Sequence, residues 1–198
     1  MWFEQGRRLS RDSQLRGCGC GLVAALDFCV YKGGFPPSPE REEYRGRIRD
    51  LNRHFFPVVP FLGIAPYYYP LMVNRFLRKS DVGYRIAGSF SARNTDAVRK
   101  MLDEDLPVIF AAGPTIPLLG RRHRIPLYTV GPDHKPLPSG QAVRGHYMTV
   151  TGIADISGET WLRVASWGRT YYIRSSDYAE HTKYCFPLTN RFYRWKKA

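Results

Sequence analysis

The stretch Gly17-Cys18-Gly19-Cys20-Gly21-Leu22-Val23-Ala24-Ala25-Leu26-Asp27-Phe28-Cys29-Val30 changes character at its middle. Alternating glycine and cysteine up to Gly21 predict a tight turn. From Leu22 onward, Leu22, Ala25, Leu26, Cys29 and Val30 fall at helical spacing, while Val23, Ala24 and Phe28 fill the other faces. A helix apolar nearly all round is predicted to be central and buried. Gly33-Gly34 ends it, with Pro36-Pro37 beyond.

Working outward from this helix, the rest of the chain falls into two parts. Ser38-Pro39-Glu40 starts a second helix, running to about His54 with one charged face. Pro70 to Lys79 predicts a third, and Asn94-Thr95-Asp96 caps a fourth from Ala97 to about Asp103. Val108 to Ala112 is an apolar run, predicted as a buried strand. Residues 113 to 140 are rich in proline, glycine and basic residues, with Pro126 to Val130 as one arm of a hairpin. His146 to Ile153, Trp161 to Ser166 and Arg169 to Ile173 read as strands, and the turn between the first two carries Asp155, Ser157 and Gly158. Asp177 to His181 reads as a turn or short helix, before a mixed aromatic and basic tail. Helices first and antiparallel strands second predict an α+β fold, not alternating βαβ units.

Composition sets outer limits. The chain has 198 residues, 43% hydrophobic, which suits a single globular domain. The net charge of +13 favours acidic partners in general. No run reaches five like charges, so nucleic acid is permitted by charge but is not the expected partner. Residues 55 to 74 carry no charge, yet Pro57, Pro60, Pro66 and Pro70 would break the ladder of a spanning helix, so no membrane span is expected. The opening MWFEQGRRLSRD lacks an apolar segment of the secretory kind. A cytoplasmic protein is therefore expected, with Cys18, Cys20, Cys29 and Cys185 as free thiols. The sequence carries no signature of an oligomeric state.

Thiol catalysis needs an ionisable thiol, a base beside it and a donor for the oxyanion. Cys20 sits at the N-terminus of the buried helix, where free N–H groups and the macrodipole favour an anion. Gly19 and Gly21 leave room for a substrate backbone. Gln14, six residues ahead, is placed to fold back over the turn and donate to an oxyanion beside the backbone N–H of Cys20. His146 follows Gly145 and opens a strand, where a base can face a helix-borne thiol across a cleft.

These residues resemble a known family. Gln14…Gly19-Cys20-Gly21-Leu22-Val23-Ala24-Ala25 resembles the start of papain-like cysteine peptidases, nearest to the bacterial peptidase C39-like branch. Gly145-His146-Tyr147-Met148-Thr149-Val150-Thr151-Gly152 resembles the histidine strand of that group. Ala165-Ser166-Trp167-Gly168 followed by Tyr171-Tyr172-Ile173 resembles its Ser-Trp-Gly segment. About thirty residues match closely, spread over most of the chain.

The resemblance implies a papain-like two-lobed fold in one domain over 1–198. The helical lobe would span about 14–105 and the β lobe about 106–198. It implies that Cys20 is the nucleophile, His146 the base and Gln14 the oxyanion donor. Gly19, Gly145 and Trp167 would line the substrate cleft, and no cofactor or metal is called for. The orienting residue departs from the pattern: Ala165 stands where the family has Asn or Asp, and Ser166 is the nearest polar candidate. The reaction implied is cleavage of a peptide or other amide through an acyl-thioenzyme, with water or an amine as acceptor. A peptide or protein would be the substrate.

Other readings stand beside it. Cys18 is a rival nucleophile. Cys18 and Cys20 could bind metal with Cys29, Cys185 or a histidine, although a single Cys-x-Cys pair is a weak zinc signal. Cys29 is expected in the core. His54, His123, His134 and His181 lie in polar or loop contexts and are expected to be exposed. Trp167 either shields His146 from water or simply packs in the core. The substitution at Ala165 also allows a catalytically weak or inactive domain that binds a peptide or protein.

Overall fold

The structure, a computed structural model, describes residues 19–33, 41–54, 64–80, 82–91, 94–116, 123–131 and 135–198. Gln14, Cys18 and His134 lie outside the described residues.

Helix α1 spans Cys20–Tyr31, and nine of its twelve residues are buried. Its one charged side chain, Asp27, accepts a hydrogen bond from the hydroxyl of Tyr44 at 2.9 Å. Tyr44 lies on α2, Arg41–His54. Helix α3, Tyr69–Ser80, packs beside α1 through Tyr69, Val73, Phe76 and Leu77. Helix α4 spans Thr95–Asp103, and the Asn94 side chain caps it by accepting from the N–H of Ala97 at 3.0 Å. Helix α5, Ser175–His181, runs on into a 3₁₀ turn, Thr182–Tyr184.

The strands are β1 Tyr84–Ser91, β2 Val108–Ala112, β3 Ile125–Val130, β4 Pro136–Val143, β5 His146–Ile156, β6 Glu159–Ser166, β7 Arg169–Arg174 and β8 Arg191–Lys197. They form one antiparallel sheet in the order β1-β8-β2-β5-β6-β7-β3-β4. The fold is therefore α+β, with five helices and an eight-stranded sheet among the described residues. Every residue of β2 is buried, as its unbroken apolar run requires.

Three strands, β1, β4 and β8, were hidden from the sequence. In β1 a bulge between Ile86 and Gly88 breaks the alternation. The side chain of Asn74 compensates there, donating to Ile86 O at 2.8 Å and accepting from Ile86 N at 2.7 Å. In β8 Phe192, Tyr193 and Trp195 are buried, Phe192 on one face of the sheet and Tyr193 and Trp195 on the other, among arginine and lysine. The Trp195 ring stacks on Phe28 of α1, with centroids 3.6 Å apart, which ties this strand to the central helix. β1 also brings residues from the helix-rich first half into the same sheet as the C-terminal strands. No helix among the described residues is long and apolar enough to cross a membrane.

Candidate active site

Cys20 is the first residue of α1 and is half-buried. No acidic side chain sits in the first turn to oppose a negative charge there. Its Sγ accepts the N–H of Tyr147 at 3.4 Å, a contact between residues 127 positions apart. Tyr147 directly follows His146, so the helix-borne sulfur lies at the opening of β5. The ring of Tyr147 fixes this junction. It stacks on Tyr69 at 4.5 Å, and its hydroxyl donates to Ile64 O at 3.0 Å.

Gly21 has a different role from the one expected. A Cβ there would lie 3.2 Å from Tyr69 and 3.3 Å from Ile64 and Tyr147. The space beside Gly21 is therefore filled by these core side chains and is not open to a substrate. Gly19 caps α1 without a side chain and is itself buried.

His146 is half-buried, and its Nε2 shares a 2.8 Å hydrogen bond with Oγ of Ser166. Burial pulls its pKa down from 6.5 to about 4. Strand register explains why Ser166 is the residue that reaches the ring. Ala165 pairs with Thr149, so the two side chains share a face of the sheet. Thr149 lies three residues beyond His146 on β5, hence on the opposite face. Ser166 is one step on, on the His146 side, and only 1% exposed. The buried hydroxyl of Thr149, across from Ala165, has no hydrogen-bond partner among the described residues.

Ser166 and Arg169 close a two-residue hairpin over Trp167 and Gly168. Both turn residues have positive φ, +51° and +70°, the signature of a type I′ turn. Asparagine followed by glycine is the sequence that suits this turn; tryptophan strains it. The indole held in this way stacks on the His146 imidazole, with centroids 4.9 Å apart and planes 24° apart.

Behind the histidine lies a buried network that the sequence did not announce. Gly113 follows β2, and Ala112 is the register partner of His146. The carbonyl of Gly113 accepts from Gly145 N at 3.3 Å, His181 Nε2 at 3.0 Å and Cys185 Sγ at 3.4 Å. The Gly145 N–H is thereby used inside the fold. Its φ of +57° makes the turn into β5. Gly113 N donates to Asn190 Oδ1 at 3.3 Å, and Asn190 Nδ2 donates to Tyr178 O and to Thr182 Oγ1. A Cβ at Gly113 would fall 2.3 Å from Thr189 Oγ1.

His181 departs from expectation, being fully buried. Because Nε2–H donates to Gly113 O, Nδ1 accepts, and it does so from His123 Nδ1 at 2.9 Å. Burial lowers the pKa of His181. His123 is half-buried and stacks on Tyr184, whereas His54 is exposed. Asp155 sits at the far end of β5, paired with Arg99 at 2.6 Å and Thr160 at 2.8 Å, away from the site.

The described thiols differ sharply. Cys29 is fully buried in the core, and its pKa is pushed far up by burial. Burial pushes Cys185 up to about 12. Among the described residues, no three His, Cys, Asp or Glu side chains are gathered so as to hold a metal ion. No protein-family model matches the chain, and no curated protein matches it.

Proposed function

We propose that this chain is a papain-like cysteine hydrolase that cleaves a peptide or other amide bond through an acyl-thioenzyme. The observation that carries this reading is the contact of Cys20 Sγ with the N–H of Tyr147, the residue next to His146, whose imidazole is bonded to Ser166. With Nε2–H donating to Ser166 Oγ, the His146 lone pair resides on Nδ1. A pKa near 4 keeps that imidazole neutral at pH 7, the form a general base needs. His146 takes the Cys20 proton as the sulfur attacks the carbonyl carbon. It then gives that proton to the leaving amine as the C–N bond breaks, leaving a thioester. Water, deprotonated by His146, releases the acid and restores the thiol. The opening-turn N–H of Cys20 and the side chain of Gln14 are the oxyanion donors in this scheme. The division into two lobes, helical and β, belongs to the same reading.

A second reading, a peptide-binding domain with weak catalysis, is favoured by one observation. Ser166 offers an uncharged hydroxyl where a carboxylate or amide would hold the imidazole more firmly. One experiment separates the two. Brief exposure to p-nitrophenyl acetate leaves an acetyl group on Cys20, detected by peptide mass spectrometry, if the hydrolase reading holds. Acetylation that is no faster in the wild type than in His146→Ala contradicts it.

A further inference from the structure

Among the described residues, four that are not glycine have positive φ: Asp105, Ser157, Trp167 and Leu188. Aspartate and serine suit turns, but a bulky tryptophan or leucine in this conformation is strained. Such strain concentrates where a side chain must be presented to a ligand. Trp167 is held against His146. Leu188, at φ +61°, is held out into solvent and is 63% exposed.

The loop carrying Leu188 is anchored from behind. Phe186 N–H donates to Pro114 O at 3.3 Å, and Thr189 donates to Phe186 O through both its N–H and its hydroxyl. Thr189 and Asn190 are buried, the latter within the Gly113 network. Phe186 and Leu188 point outward from this fixed base. Facing them, the Tyr67 hydroxyl donates to Pro187 O, and Tyr67, Tyr68 and Leu71 are all exposed. No residue in 64–74 or 185–190 is charged, although the chain carries +13.

The segments that carry this rim are tied to elements on both sides of the candidate site. On one side, Ile64 O and Pro66 O accept from Tyr147 and Tyr193. On the other, Pro114 lies two residues past Ala112, the partner of His146. β8, which follows the Leu188 loop, is two strands from β5, or about 10 Å at the usual strand spacing.

We propose that the rim of Tyr67, Tyr68, Leu71, Phe186 and Leu188 is a subsite for a large apolar side chain of a peptide substrate whose scissile bond is attacked at Cys20. The proposal rests on the hydrolase reading, and binding separates the two. Full-length Cys20→Ala protein is equilibrated with a randomised library of blocked octapeptides, and bound peptides are sequenced by mass spectrometry. Leucine, isoleucine and phenylalanine are expected to be enriched at one position. Leu188→Asn, which suits the left-handed backbone, and Tyr68→Ser should each weaken binding of the selected peptides by about tenfold. Neither should alter the alkylation rate of Cys20 in the otherwise native protein.

No enrichment, or enrichment unchanged in both rim variants, overturns the subsite and leaves the hydrolase reading standing. Rim-dependent enrichment in a protein whose Cys20 is unreactive supports the subsite while removing the hydrolase. Self-association of the protein abolished by Leu188→Asn, without peptide enrichment, would assign the rim to a second copy of the chain and overturn the proposal.

Discussion

The imidazole of His146 meets the hydroxyl of Ser166 at 2.8 Å, while Ala165, the preceding residue, faces Thr149 on the other side of the sheet. In the proposed hydrolase, position 166 is thus the place from which the imidazole would be oriented.

Ser166→Ala should lower ester hydrolysis at Cys20 by about tenfold, because the ring loses its partner. Ser166→Asp should raise the pKa of His146 by placing a carboxylate against its Nε2. Ala165→Asn should leave activity within about twofold, since its amide faces the unpartnered Thr149 hydroxyl. Steady-state kinetics on p-nitrophenyl acetate check all three. Rescue by a polar residue at 165 would refute the register argument.

Trp167→Asn separates folding from function. Asn-Gly is the preferred type I′ pair, so the turn gains what the lost ring contacts remove, and stability should shift by no more than ~1 kcal/mol. Activity should fall by about tenfold or more as water reaches the His146–Ser166 bond. Urea unfolding and esterase rates on the same samples provide the comparison.

The pH behaviour follows from His146. Its folded pKa of about 4 lies below the unfolded 6.5, so between those values the unfolded state takes up a proton that the folded state refuses. Stability is therefore full above pH 6.5 and falls as pH drops toward 4, by up to ~3 kcal/mol from this group. Burial of His181 acts in the same direction. Denaturant midpoints across this range should show the loss, and His146→Gln should reduce it. The acid limb of kcat/KM should lie near pH 4, not near 6.5.

Much of this arrangement was legible in the sequence. The apolar run after Cys20 announced α1, and the alternation after Gly145 announced β5. Those two elements place the thiol and the imidazole. Gly21 misled, because a small residue beside a nucleophile looks the same whether the space holds substrate or the rings of Tyr69 and Tyr147. His181 misled for a related reason. Its polar neighbours in sequence give no hint of Gly113 and His123, which lie far off in the chain and satisfy it in the interior. β8 escaped notice because its polar partners are long basic side chains among aromatics. The roles of Gly113 and Asn190 depend wholly on tertiary hydrogen bonds, which have no local signature.

Gly21→Ala tests that packing. The added methyl presses on Tyr69, Ile64 and Tyr147 at once, and a loss of ~1 to 3 kcal/mol is expected. Thermal unfolding measures it, and an unchanged midpoint would mean that the rings yield freely.

The most direct test is the rate at which iodoacetamide alkylates each thiol at pH 6, mapped by peptide mass spectrometry. Cys20 should react at least about tenfold faster than Cys29 and Cys185, and His146→Ala should abolish that advantage. Equally slow labelling of these thiols, or a Cys20 rate indifferent to His146, would contradict the pairing of sulfur and imidazole on which the account stands.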